Sequence, residues 1–265
     1  MSDRDVPNGL YIAQRFRGPH YSGNGGYTAG ALAQRLLVRT GGGSALSRAV
    51  SVTLRQPPPL DASMKISATD NKIWAAADGI IVAQAQLAGP LAAAPAPVSA
   101  GVAAEATGAY RGHAEHPFPF CFSCGTQRET GDALRLFAGP VPGRPGVTAT
   151  PWQPGASFSQ AVLEGSTGCN AAAIATPVVW AALDCPGAWA ANVDSGRPIV
   201  LGRIAAVVHH ELPAEESYVV VGECRRQEGH KAFTATAIYD PDGRLMAAAV
   251  ATWLAIDPAT FAGLR

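Results

Sequence analysis

Apolar and polar positions follow two periods along this chain. Residues 10–17, LYIAQRFR, alternate as in a half-buried strand. Residues 23–38, GNGGYTAGALAQRLLV, set Ala and Leu at helical spacing behind a glycine-rich turn. After the glycines at 41–43, alternation predicts strands over 49–56, 63–70, 72–77 and 80–87, with Asp78-Gly79 as a tight hairpin turn between the last two. The order then recurs. Residues 174–190, IATPVVWAALDCPGAWA, predict a helix with Pro177 suited to its first turn. Residues 199–212, 217–227, 231–240 and 244–256 predict long strands, and Asp242-Gly243 marks the last turn.

Local echoes accompany the shared order: VTLRQPPPLDAS (52–63) sets against VVHHELPAEES (207–217). A tandem unit of strand, helix and four antiparallel strands is the economical reading. The segment 88–112 is dense in Ala, Pro and Gly and predicts a loosely packed connection. We therefore divide the chain into a first unit over 1–90, a connection over 91–130, and a second unit over 131–265. The class is α+β, each unit a long helix covered by an antiparallel sheet.

Composition changes this picture little. Of 265 residues, 48% are hydrophobic and 15% charged, with formal net charge zero, which argues against disorder and against the basic footprint of a nucleic-acid binder. The start, MSDRDVPNGLYIAQ, lacks the apolar core of a signal peptide, and no apolar run approaches the roughly 18–20 residues that span a bilayer. Five cysteines, an odd number without a disulfide-framework spacing, fit a reducing compartment, so the expected location is the cytoplasm.

The chemistry centres on Asp184, a carboxylate between Leu183 and Cys185 in an apolar segment, costly to bury without a partner. One helix followed by a long antiparallel sheet is the order of the hot-dog fold. The whole chain resembles the double hot-dog proteins of the acyl-CoA thioesterase superfamily. More narrowly, PFCFSCG (119–125) and GDALRLFAGP (131–140) resemble an uncharacterised thioesterase-like group within it. Single-domain relatives in that superfamily open the helix with His-Gly-Gly and carry an acid about two turns later. Here NGGYTAGALAQ (24–34) keeps the glycines, with Asn24 in place of His and Ala33 where the acid would stand. ATPVVWAALD (175–184) loses the glycines to Thr176-Pro177 but has Asp184 at the acid's position. Eight residues of helix span roughly 12 Å, too far for one helix to supply both groups. The resemblance places the two helices side by side, so one asymmetric site per chain follows.

The resemblance implies acyl-CoA hydrolysis. Backbone N–H groups of Gly25, Gly26 or Tyr27 bind the thioester oxygen, and Asp184 acts as general base or nucleophile. Asn24, Gln34 and Thr176 are the candidate substrate-orienting groups, and Arg48, Arg55 or Arg203 the candidates for the CoA phosphates. Coenzyme A enters only as part of the substrate, and no cofactor is expected. The implied partners are a small acyl thioester and a second copy of the chain in a homo-oligomer, most simply a dimer, with no nucleic acid and no membrane. A hydratase of acyl-CoA and a non-catalytic acyl-binding protein are the rival readings. Asp184 is alternatively a cap starting a second short helix before Pro186. His113, His116, Cys121 and Cys124 form the set a zinc ion would take, but the spacing is short of a standard pattern, and we read these cysteines as reduced thiols packed under the connection. His209 and His210 fall in a predicted strand and point to opposite faces. Ser166, in EGSTGC (164–169), lacks the spacing of a nucleophile elbow.

Overall fold

The computed structural model describes residues 9–41, 47–165, 167, 171–191 and 197–257. Among them the chain forms one continuous sheet of eleven strands: β1 (Gly9–Tyr11), β2 (Val50–Leu54), β3 (Ser63–Ala68), β4 (Lys72–Ala77), β5 (Ile80–Leu87), β6 (Gly139–Pro140), β7 (Val147–Trp152), β8 (Ile199–Val208), β9 (Tyr218–Glu228), β10 (Lys231–Tyr239) and β11 (Leu245–Ala255). The spatial order is β1-β3-β4-β5-β2-β8-β11-β10-β9-β7-β6. The halves join where β2 pairs antiparallel with β8, Val52 opposite Ile204 and Thr53 opposite Arg203.

The strand predictions hold in all but their ends. Asp78 and Gly79 both adopt positive φ, 49° and 78°, which makes the β4–β5 link a type I′ turn matched to strand twist. Residues 10–17 are the exception: β1 ends at Tyr11, and Gln14–Phe16 forms a 3₁₀ turn that buries Phe16. His209 and His210 lie just beyond the end of β8, where both backbone N–H groups donate to the Met246 carbonyl.

Two long helical segments lie within the curve of the sheet. Helix α1 (Gly25–Arg39) begins at Asn24, whose side chain accepts from the Tyr27 N–H at 2.8 Å. The helix expected over 174–190 is instead two, α4 (Thr176–Ala182) and α5 (Cys185–Ala191), with Leu183 and Asp184 between them. Pro186 is the cause: it has no N–H to continue the helix, yet it is tolerated in a first turn. The remaining helices are α2 (Ala100–Gly108) and α3 (Gln160–Glu164). The main core gathers Leu32, Leu36, Val52, Ile73, Trp180, Leu183 and Ile204 between helices and sheet.

The connection is not loosely packed. Helix α2, opened by Ser99 as its N-cap, lies on the outer face of the second half, where Ala103 and Ala106 bury Val147, Ala149, Val219, Val221, Ala237 and Tyr239. Alternation along the strands explains the arrangement. Thr148 faces inward and donates to the Pro186 carbonyl at 2.8 Å, while its neighbours Val147 and Ala149 face α2. Sheet strands covered on both faces read as nearly continuous apolar runs, as 218–222 (YVVVG) and 245–251 (LMAAAVA) do. No helix among the described residues is long and apolar enough to cross a membrane.

Candidate active site

Helices α1 and α4 pack antiparallel, and small residues set their separation. A Cβ on Gly26 would sit 2.6 Å from both the Trp180 carbonyl and the Asp184 Cβ. One on Gly30 would sit 2.7 Å from the Trp180 Cβ and 2.8 Å from the Pro177 Cα. The Gly26-x3-Gly30 pair is a close-approach face, and its spacing is visible in the sequence. It brings the start of α1 to the end of α4, and there Asp184 Oδ2 accepts from the Gly26 N–H at 2.9 Å. Asp184 is 3% exposed, and its Oδ1 has no hydrogen-bond partner among the described residues. Asp184 thus stands at the start of a second short helix, but its carboxylate is directed across to α1.

This geometry narrows the expected oxyanion donors. The Gly26 N–H is taken by Asp184, and the Tyr27 N–H by the Asn24 cap. Tyr27 instead contributes its ring, stacked on Phe16 at 3.9 Å. Gly25 remains: it lines the cavity, and no partner for its N–H is present among the described residues. Burial pushes the Asp184 carboxyl up to about 7; the Gly26 N–H and the Asn24 side chain pull it down, and the Cys121 charge pushes it further up.

The CFSCG stretch threads between the two helix ends. Ser123 Oγ donates to the Ala181 carbonyl at 2.7 Å and accepts from Asn24 Nδ2 at 3.2 Å, so it ties the start of α1 to the end of α4. Arg128 is buried beside it, bonded to Asp132 and to the carbonyls of Phe120 and Arg15. Neither Ser123 nor Arg128 stood out as a site-building residue in the sequence, because the contacts that place them, Ser123 to Ala181 and Arg128 to Arg15, join residues remote along the chain.

A cavity of about 460 Å³ opens beside Asp184, lined from both halves. Leu54, Leu201, Trp189, Trp253, Leu254 and Ile256 give it an apolar wall, while Asn24, Asp184, Arg55 and His116 supply polar groups. Of the three arginines proposed for phosphates, only Arg55 borders it. Arg203 donates to Ser51 across the β2–β8 seam, and Arg48 lies at a different cavity. That second cavity, about 270 Å³, holds Gln34 and Thr176, which therefore do not join Asp184; Gln34 is bonded to Glu164 at 2.9 Å.

The set His113, His116, Cys121 and Cys124, weighed for zinc and set aside, does not assemble. His113 is exposed. His116 Nδ1 accepts from the Phe118 N–H at 2.9 Å and its Nε2 lies 3.1 Å from the Cys124 carbonyl, so both ring nitrogens are engaged. Cys121 and Cys124 are joined instead by Cys185. Ser166 lies outside the described residues.

The fold is the double hot-dog, two helices wrapped by a continuous antiparallel sheet. Solved structures share it over nearly the whole chain. A thioesterase described as putative, from Novosphingobium aromaticivorans, is 10% identical with a TM-score of 0.59, over 96% of this chain and 100% of that one. A putative thioesterase II from Thermobifida fusca is 12% identical, TM-score 0.58, over 96% and 94%. An acyl-CoA thioesterase II from Mycobacterium marinum is 12% identical, TM-score 0.54, over 94% and 93%. Identities this low carry the likeness of fold alone. No protein-family model and no curated protein matches the chain in sequence.

Proposed function

We propose that the protein hydrolyses acyl thioesters of the coenzyme A class at the junction of α1 with Asp184. The observation that carries the reading is the Asp184 carboxylate: buried, fixed through Oδ2 to the Gly26 N–H, and free at Oδ1 beside a largely apolar cavity. Oδ1 accepts a proton from water as the water oxygen attacks the thioester carbon. The developing oxyanion takes the Gly25 N–H at the start of α1, where the helix dipole also favours negative charge. Collapse expels the thiolate, which recovers the proton from Asp184. The wall of Leu54, Leu201, Trp253 and Leu254 suits an acyl chain, and exposed Arg55 suits the phosphate end.

The fold neighbours described as thioesterases support the same reaction class. A hydratase that pairs Asp with a free histidine is less well supported. His116 is the histidine bordering this cavity among the described residues, and both its nitrogens are engaged. The test is a panel of acyl-CoA substrates of differing length, followed by thiol release, with wild type and Asp184→Asn. Absence of turnover on every substrate, or unchanged turnover in the variant, would sink the proposal.

A further inference from the structure

Three sulfurs meet at one point beside this cavity. Cys121, Cys124 and Cys185 are 4%, 3% and 8% exposed, and their Sγ atoms all lie within 4.8 Å of one another. Cys121 and Cys185 are 64 residues apart in sequence, yet their sulfurs are 3.7 Å apart. Zinc–sulfur bonds of about 2.3 Å place tetrahedral thiolates about 3.8 Å from each other, so one edge of such a site already has its length. A disulfide would need the sulfurs at roughly 2.05 Å, and these cysteines are free. Packing of small apolar side chains explains three buried cysteines; it does not explain the convergence of three sulfurs from two separate segments at one point of the cavity wall.

The surroundings suit bound thiolates. The Cys-x2-Cys turn closes on itself, with the Gly125 N–H donating to the Cys121 carbonyl at 2.9 Å. A Cβ at Gly125 would lie 2.5 Å from the Cys121 nitrogen, so only glycine permits this tight turn. Asn24 Nδ2 donates to Cys121 Sγ at 3.7 Å, the kind of outer contact that orients a metal ligand. All three cysteines border the cavity, and no fourth His, Cys, Asp or Glu joins them among the described residues.

We propose that Cys121, Cys124 and Cys185 bind one zinc ion per chain, with the fourth position left to water or to a donor atom in the cavity. Binding replaces three thiol protons, which pass to solvent, and needs no oxidant or reductant. The ion would clamp the connection to the start of α5, directly next to Asp184. This assignment stands apart from thioester hydrolysis and is tested without it.

The full chain, purified under reducing conditions without added chelator, is analysed for metal by mass spectrometry. The apo protein, prepared with chelator, is then titrated with cobalt. The expected result is one zinc per chain and an intense thiolate-to-cobalt charge-transfer band. Cys124→Ser and Cys185→Ser should each weaken zinc binding by more than about tenfold, the lower end of the loss seen for outer-shell changes alone. Cys224→Ser, at a half-buried cysteine outside the cluster, and Asp184→Asn should keep full metal content. Should a serine variant fail to fold, the cobalt spectrum of the wild type decides by itself. A fully reduced chain that takes up neither zinc nor cobalt overturns the proposal. So does an intramolecular disulfide in place of the metal, or zinc retained undiminished by both serine variants.

Discussion

The two ends of the α1/α4 pair have opposite characters. At one end, the start of α1 offers Gly25 and Gly26, the facing chain offers Asp184, and a cavity of about 460 Å³ opens between the halves. At the other end, the start of α4 offers Thr176 and Pro177, and the facing stretch of α1 offers Ala33 and Gln34 beside a cavity of about 270 Å³. Proline has no N–H to give and Ala33 no carboxylate to receive it. Ala175, before α4, makes no side-chain cap, whereas Asn24 caps α1. On the proposed reading, this helix start serves as a site because its N–H groups meet an acid that the neighbouring element holds at hydrogen-bond distance. The same packing at the other end lacks both groups.

The comparison is open to attack at each of its parts. The largest effect is expected from Asp184→Asn, which keeps the shape but removes the base. Turnover should fall by on the order of 10²–10⁴, read as thiol release from the best acyl-CoA of the panel. Next comes Gly26→Ala, which forces a methyl to 2.6 Å from the Trp180 carbonyl and the Asp184 Cβ. It should lower unfolding free energy by about 1–3 kcal/mol in urea titration and reduce turnover as well, because the carboxylate must move. Asn24→Ala should cost about 1 kcal/mol of stability through the lost cap, also read from urea titration. The smallest effects belong to the other end. Gln34→Ala and Thr176→Val should shift stability by no more than about 0.5 kcal/mol, and turnover should stay within assay error. A loss at Thr176 comparable to that at Asp184 would break the asymmetry.

Element order was legible because hydrophobic periodicity and two Asp-Gly turns are local signals, and eight of the nine predicted strand segments lie within a residue or a few of a strand in the structure. The meeting of Asp184 with the start of α1 was legible through comparison of NGGYTAGALAQ (24–34) with ATPVVWAALD (175–184). Which amide the carboxylate takes was not. That depends on a helix separation set by Gly26 and Gly30 against Trp180, a contact between residues about 150 positions apart. The break at Pro186 was signalled by the proline itself, and a single helix across it overvalued the flanking alanines. Gln34 and Thr176 were misplaced although helix rise alone sets each roughly 12 Å along the chain from Gly26 and Asp184 respectively, at the opposite end of the pair. Cys185 joined Cys121 and Cys124 only once the chain had folded. Helix α2 was hidden in an Ala- and Pro-rich stretch whose composition suggested looseness, whereas its role is to cover the outer face of β7, β9 and β10.

The β2–β8 pairing carries a consequence for how the chain is made. Synthesis delivers β2 roughly 150 residues before β8, so the nascent first half carries β2 as an open edge with unpaired N–H and C=O groups. Domains begin to fold as they emerge, and unpaired edges are where partly made chains stick to one another. The Pro-Pro-Pro run at 57–59, immediately after β2, stops that edge from extending into a longer adhesive strand. Asp184 emerges before β8 as well, about 15 residues ahead of the strand that seals the two halves together.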